Sequence, residues 1–349
     1  MGSSVSQRPQ GSARERSKGR AVRWARIIIS YGIAAACLYW SLHDIHFSEL
    51  ERSIAHMNWW WVAAAVLLQF ITYICVAWEW QILLRPVGKL SLVRITQAVL
   101  SGRFANDVLP VQLGYLVRIY LVARWMRKGF AEVVPSLLVE RLWDGLWLAA
   151  GIGITTLFVP LPPNLLRARD ILGMVILVGT GLVAFVIFRP RKWSLRALDL
   201  PIARRGVAAR VLGVVARLSE GVRGIGKARL LPALFSLSMV KLLLQALSYY
   251  AMLLAYDLRL PLGAGLAVFL IAYLGVCVPS TPASAGIFQV CSIAGLRVFG
   301  IAKTPAAGFS LVAFIALTLP LSIAGFFALA QSGLSLKEIR KDAAGGNCE

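Results

Sequence analysis

The sequence is poor in charge, and poorer still in acid. Only 15% of its 349 residues are charged, and 16 acids face 37 basic residues. A soluble domain carries about 25% charged residues and 45–50% apolar ones; this chain is 58% apolar with a mean hydropathy of +0.71. Histidine is scarce: His43, His46 and His56 share one polar segment; His43 and His46 could share a metal if helical, but no constellation with metal-site spacing completes it, and they read as solvated loop residues. The five cysteines form no C-x-x-C pair and show no metal spacing. Cys37, Cys75, Cys277 and Cys291 read as small apolar groups, and Cys348 as a tail residue. No H-x-x-E-H, no G-x-S-x-G and no D-D-x-x-D cluster is present. Gly221, Gly224 and Gly226 stand in a basic segment with no strand before them, so they make no phosphate loop. No metal and no cofactor is expected.

What is abundant is long apolar sequence. Runs able to cross a ~30 Å hydrocarbon core recur along the chain. They are continuous rather than alternating, which points to helices and excludes a β-barrel. The expectation is an all-α polytopic membrane protein with about eight transmembrane helices and one or two broken re-entrant elements. The spans are expected at 24–42, 59–84, 132–159, 171–188, 230–256, 262–278 and 304–330, with 284–299 favoured as a further crossing.

The net charge of +21 is concentrated. Residues 1–26 hold seven Lys/Arg against one acid, and 189–229 hold eleven against two. Basic segments beside spans mark the cytoplasmic side and attract anionic lipid; nucleic acid is not an expected partner. The chain divides into a basic cytoplasmic tail (1–23), a membrane domain (24–330) containing the cytoplasmic loop 189–229, and a short C-terminal tail (331–349). The N-terminus is placed in the cytoplasm, the protein in the cell's inner membrane. Only 19 residues follow the last span, so no further soluble domain is expected.

Two apolar stretches are broken. The first, 101–121, reads "SGRFANDVLPVQLGYLVRIYL"; the second, 278–290, reads "VPSTPASAGIFQV". Irregular backbone survives in a bilayer only where protein or a water-filled cavity satisfies it. Paired Gly/Pro-interrupted segments in two halves of a chain point to a transporter's central site. The first stretch carries Arg103, Asp107 and Arg118, and "VERLWDG" follows with Glu140, Arg141 and Asp144. Glu140 and Asp144 share a helix face, and Arg141 can pair with Asp144. Arg118 has no acid within four residues, and its forked donors suit a phosphate or carboxylate. Structural readings stand beside these: Arg141 and Asp144 neutralising each other, and Arg103 snorkelling to the interface. Lys241 divides evenly between structural pairing and substrate contact. Glu79 reads as an interface residue.

The stretch "GRFANDVLPVQLGYLVRIYLVAR…VVPSLLVERLWDGLWL" resembles the first block of the flippase-like integral membrane family, which includes the transmembrane domain of lysylphosphatidylglycerol synthases. That block reads N-x-x-L-P-x-x-x-G…R, then E-R-x-x-D. Here it falls on Asn106, Leu109, Pro110, Gly114 and Arg118, then Glu140, Arg141 and Asp144. A looser second block falls on Pro282, Gly286 and Gln289. Two acids usual in the family are replaced, by Tyr115 and by Gln289. The resemblance implies a translocase of lipids or lipid-linked molecules; the broken helices and their arginines add the expectation of an anionic headgroup held in a groove between them. The candidate binding set is Asn106, Asp107, Pro110, Gly114, Arg118, Glu140, Arg141, Asp144, Pro282, Gly286 and Gln289. Two alternatives remain. One is an intramembrane enzyme on a lipid carrier, with Asp107, Glu140 or Asp144 as acid or base. The other is a non-catalytic partner in a lipid, hopanoid or glycolipid synthesis pathway.

Overall fold

The structure, a computed structural model, describes residues 54–109, 113–158, 231–276 and 284–333, with isolated positions at 32, 35–37, 39–40, 51 and 174. The expected span 171–188, the basic loop 189–229 and the N-terminal tail fall outside the described residues, as does most of 24–42. Everything described is helix or connection. In chain order the helices are α1 (Trp59–Leu84), α2 (Leu92–Val108), α3 (Gly114–Met126), α4 (Phe130–Phe158), α5 (Leu231–Ala255), α6 (Leu262–Val276), α7 (Ile287–Val298) and α8 (Lys303–Gln331).

Each boundary has a local cause. Asn58 caps α1, its side-chain oxygen accepting the Trp60 N–H at 3.1 Å. The helix then begins with Trp59, Trp60 and Trp61, all exposed, as an interfacial aromatic belt requires. Leu109 ends α2 in an extended conformation (φ −100°, ψ 137°), which a following proline imposes. Pro232 stands in the first turn of α5, where a missing N–H is no loss. Gly286 precedes α7 at φ 84°, a region that favours glycine.

α1, α5 and α8 are long and apolar enough to cross a membrane. Their outward faces are greasy: Leu67, Ile71, Ile74 and Trp78 on α1, Met239, Leu243 and Leu247 on α5, and Ile315, Leu319 and Ile323 on α8 are all exposed. Apolar surface of that extent suits lipid rather than water. α4 is as long as α8 but carries Glu132, Glu140, Arg141 and Asp144.

α1 and α5 run antiparallel along their whole length. The Asn58 N–H donates to the Ala255 carbonyl (3.0 Å), the Ser248 hydroxyl to the Ala65 carbonyl (2.8 Å), and at the far end Ser238 meets Glu79. α2 and α3 form a helical hairpin entered from the Leu84 end of α1. α6 and α7 form another, entered from the Ala255 end of α5. Those ends lie at opposite extremes of the α1–α5 pair, so the hairpins penetrate the bundle from opposite directions.

The first broken stretch is therefore a hairpin, as its composition implies. The second differs from the favoured full crossing. α7 folds back on α6, with Gly275 against Cys291 and Gly295 against Val268. At 15 and 12 residues these helices reach only roughly 22 and 18 Å, short of a ~30 Å core. The pattern of the two halves is the same: long helix, two short helices, long helix. The apolar core is divided accordingly. One cluster packs around the first hairpin (Trp80, Leu83, Ile95, Leu121), and the other around the second (Tyr249, Phe269, Ile293, Phe309).

Candidate functional site

A cavity of about 360 Å³ lies where the two hairpins approach each other. Its wall takes Arg103, Asn106, Asp107, Gly114, Tyr115 and Arg118 from the first hairpin, and Val276 and Ser284 from the second. Glu140, Arg141 and Asp144 of α4 complete it, with Tyr73 of α1 and Ser238, Lys241 and Gln245 of α5.

The tip of the first hairpin is held tightly. Asn106 Oδ1 accepts the Gly114 N–H at 2.7 Å, bridging the break. A side chain at Gly114 would stand 1.9 Å from the Gly102 carbonyl oxygen, so only glycine permits this crossing.

Arg118 is buried and already engaged. Its guanidinium forms a two-pronged pair with Glu140, at 2.9 Å to Oε1 and 2.6 Å to Oε2. The same group lies 3.8 Å over the face of Trp80. Trp80 is fixed in turn, its indole N–H donating to Ser136 Oγ at 2.9 Å and that hydroxyl to the Val133 carbonyl at 2.7 Å. Sequence spacing left Arg118 without a nearby acid; the tertiary fold supplies one from α4. Only Nε is left without a hydrogen-bond partner.

Arg141 differs. Its side chain is 42% exposed, and its carboxylate neighbours, Asp144 (3.6 Å) and Glu140 (3.8 Å), are beyond hydrogen-bonding distance. The guanidinium rests 4.2 Å over the Tyr115 ring. An aromatic face thus supports this arginine without consuming its N–H groups. Arg103 pairs with Asp107 at 3.3 Å, and Asp107 also accepts a hydrogen bond from Ser322 of α8.

Lys241 joins the two halves. Its ammonium contacts Asp144 of α4 at 2.6 Å and, in close contact, Glu79 of α1, which also accepts from the Ser238 hydroxyl. Glu79 is completely buried. The sequence places it at the inner interface because Glu79 and Arg85 close the expected span 59–84. The signal that finds it is depth: six residues before Arg85 puts it roughly 9 Å in.

Gly286 and Gln289 do not line the cavity. The Gln289 side-chain oxygen accepts the Gly286 N–H at 2.7 Å and so caps α7. Pro110 and Pro282 fall outside the described residues. Among those described, no group of three His, Cys, Asp or Glu is placed to hold a metal.

A family model described as "Lysylphosphatidylglycerol synthase TM region" matches residues 27–325. No curated protein matches the chain.

Proposed function

Because the chain belongs to the lysylphosphatidylglycerol synthase transmembrane-region family, multi-pass membrane proteins of lipid modification or translocation, we propose that it is a lipid translocase of the cytoplasmic membrane. The headgroup occupies the cavity between the hairpin tips, while the acyl chains stay in the bilayer. In this reading the N-terminus is cytoplasmic. Among the described helices α1, α4, α5 and α8 cross; the expected spans 24–42 and 171–188 lie largely outside the described residues. The first hairpin dips from the cytoplasmic side and the second from the other, leaving the C-terminus in the cytoplasm.

The observation that carries the proposal is Arg141. It is the cavity's most exposed guanidinium, it has no carboxylate within hydrogen-bonding distance, and it faces a space shared by both hairpins. A guanidinium in that setting suits a phosphate. A volume of about 360 Å³ falls in the usual range of about 300–1,000 Å³ for small-molecule sites. Arg118 and Glu140 hold the first hairpin to α4; Arg103, Asp107 and Asn106 shape the cavity beside the break. Gly286 and Gln289 shape the second hairpin's turn.

Photo-crosslinking tests this placement. A lipid with a photoreactive headgroup, activated in membranes containing the protein, should label peptides bearing Tyr115, Arg141 or Ser284. Labelling confined to the outward faces of α1 and α8 would remove the headgroup from the cavity.

A further inference from the structure

The charged side chains in the cavity wall do not balance. Among the described residues they are Arg103, Arg118, Arg141 and Lys241 against Asp107, Glu140 and Asp144, four cations to three anions. The fourth carboxylate, Glu79, stands directly behind the wall, fully buried and in contact with Lys241 and Ser238. With Glu79 ionised the set is neutral. With Glu79 protonated it carries one positive charge.

The choice of Glu79 over the other acids follows from who would be orphaned. Protonating Glu140 strips Arg118 of its two-pronged partner. Protonating Asp107 leaves Arg103 without its ion pair. Protonating Asp144 takes a carboxylate from both Lys241 and Arg141. Protonating Glu79 leaves Lys241 with Asp144 at 2.6 Å, so no buried cation loses its last partner. Among the described residues, the elements packed on α1 near this point present Lys241 and Ser238 from α5, Glu140, Arg141 and Asp144 from α4, and Arg103 and Asp107 from α2. Arg118 of α3 reaches α1 at Trp80. α8 carries one charge, Lys303, at its first residue.

A singly anionic headgroup entering the neutral set leaves one uncompensated charge in a low-dielectric interior, which is strongly unfavourable. Entering with Glu79 protonated, it leaves none. We propose that Glu79 is a proton-binding site coupled to the cavity, so that a singly anionic phospholipid headgroup binds together with one proton. This rests on the headgroup reading above. The proton comes from water and is held on a Glu79 oxygen; no covalent bond to the lipid is made or broken. Because binding takes up a proton, affinity rises as pH falls, by at most tenfold per pH unit for one proton.

The test is a titration of the full chain in detergent micelles. Short-chain phosphatidylglycerol or phosphatidylcholine is added in weak buffer with a pH-indicator dye. One proton should be taken up per phosphatidylglycerol bound, and none per phosphatidylcholine. Glu79→Gln should bind phosphatidylglycerol at every pH as wild type does at low pH, without uptake. Phosphatidylglycerol binding without proton uptake in wild type, or uptake persisting in Glu79→Gln, overturns the coupling but leaves the headgroup reading standing. If Glu79→Gln does not fold, the wild-type stoichiometry decides. Failure of phosphatidylglycerol to bind overturns both.

Discussion

Replacing Arg118 by alanine removes both short bonds to Glu140 while Glu140 stays 1% exposed. Breaking a buried pair from one side costs about 3–5 kcal/mol, mostly because the remaining charge is left without compensation. Losing the contact with the Trp80 face, 3.8 Å away, adds about 1 kcal/mol. The single variant should therefore lose roughly 4–6 kcal/mol, a large share of a stability that totals about 5–15 kcal/mol in a typical domain. Arg118→Ala combined with Glu140→Gln removes the orphaned charge and should recover about 2 kcal/mol or more of that loss. The assay is unfolding in detergent followed by tryptophan fluorescence, for wild type, both single variants and the double variant. If Arg118→Ala unfolds like wild type, and adding Glu140→Gln changes nothing, the pair does not hold the hairpin. Arg118 would then return as the headgroup ligand.

Three further outcomes follow from the geometry. Gly114→Ala should prevent the first hairpin from closing, because its Cβ falls 1.9 Å from a carbonyl oxygen, whereas Gly153→Ala, with nothing within 4 Å, should be neutral or gain up to about 1 kcal/mol; folded yield and thermal unfolding separate the two. Gln289→Ala leaves the Gly286 N–H without its cap and should cost about 1–2 kcal/mol, read by faster hydrogen exchange in α7. Asp107→Asn keeps an acceptor for Ser322 but no carboxylate; a translocase should retain measurable lipid exchange, and total loss in folded protein would favour acid/base chemistry there.

The long helices were legible because apolar runs and their stops are local: α1, α4, α5 and α8 begin and end within two residues of the expected spans. The paired breaks were legible too, since Pro110 and Gly286 act on their own neighbours. The Arg141–Asp144 pair, three residues apart, was readable from helix geometry. What was not readable is what tertiary packing decides. Arg118 meets Glu140 across 22 positions, and Lys241 meets Asp144 across 97. Glu79 gave no sign of its partners because both, Lys241 and Ser238, stand on α5, 159 or more positions away. The second hairpin departs from the expectation of a span at 262–278 and a favoured crossing at 284–299, the latter resting on the basic residues Lys337, Arg340 and Lys341 of the tail; the turn-back of α7 on α6 shows that the two short helices form one hairpin.

The most direct test of the central claim is leaflet exchange in reconstituted liposomes, with headgroup-varied fluorescent lipids followed by quencher accessibility. Wild type should accelerate exchange of anionic lipid. Arg141→Gln should lose most of that acceleration while unfolding at the same temperature, since Arg141 is half-exposed and makes no short ion pair. Acceleration undiminished in folded Arg141→Gln, or no exchange of any lipid by folded wild type with a proton gradient imposed in either direction, would contradict the account.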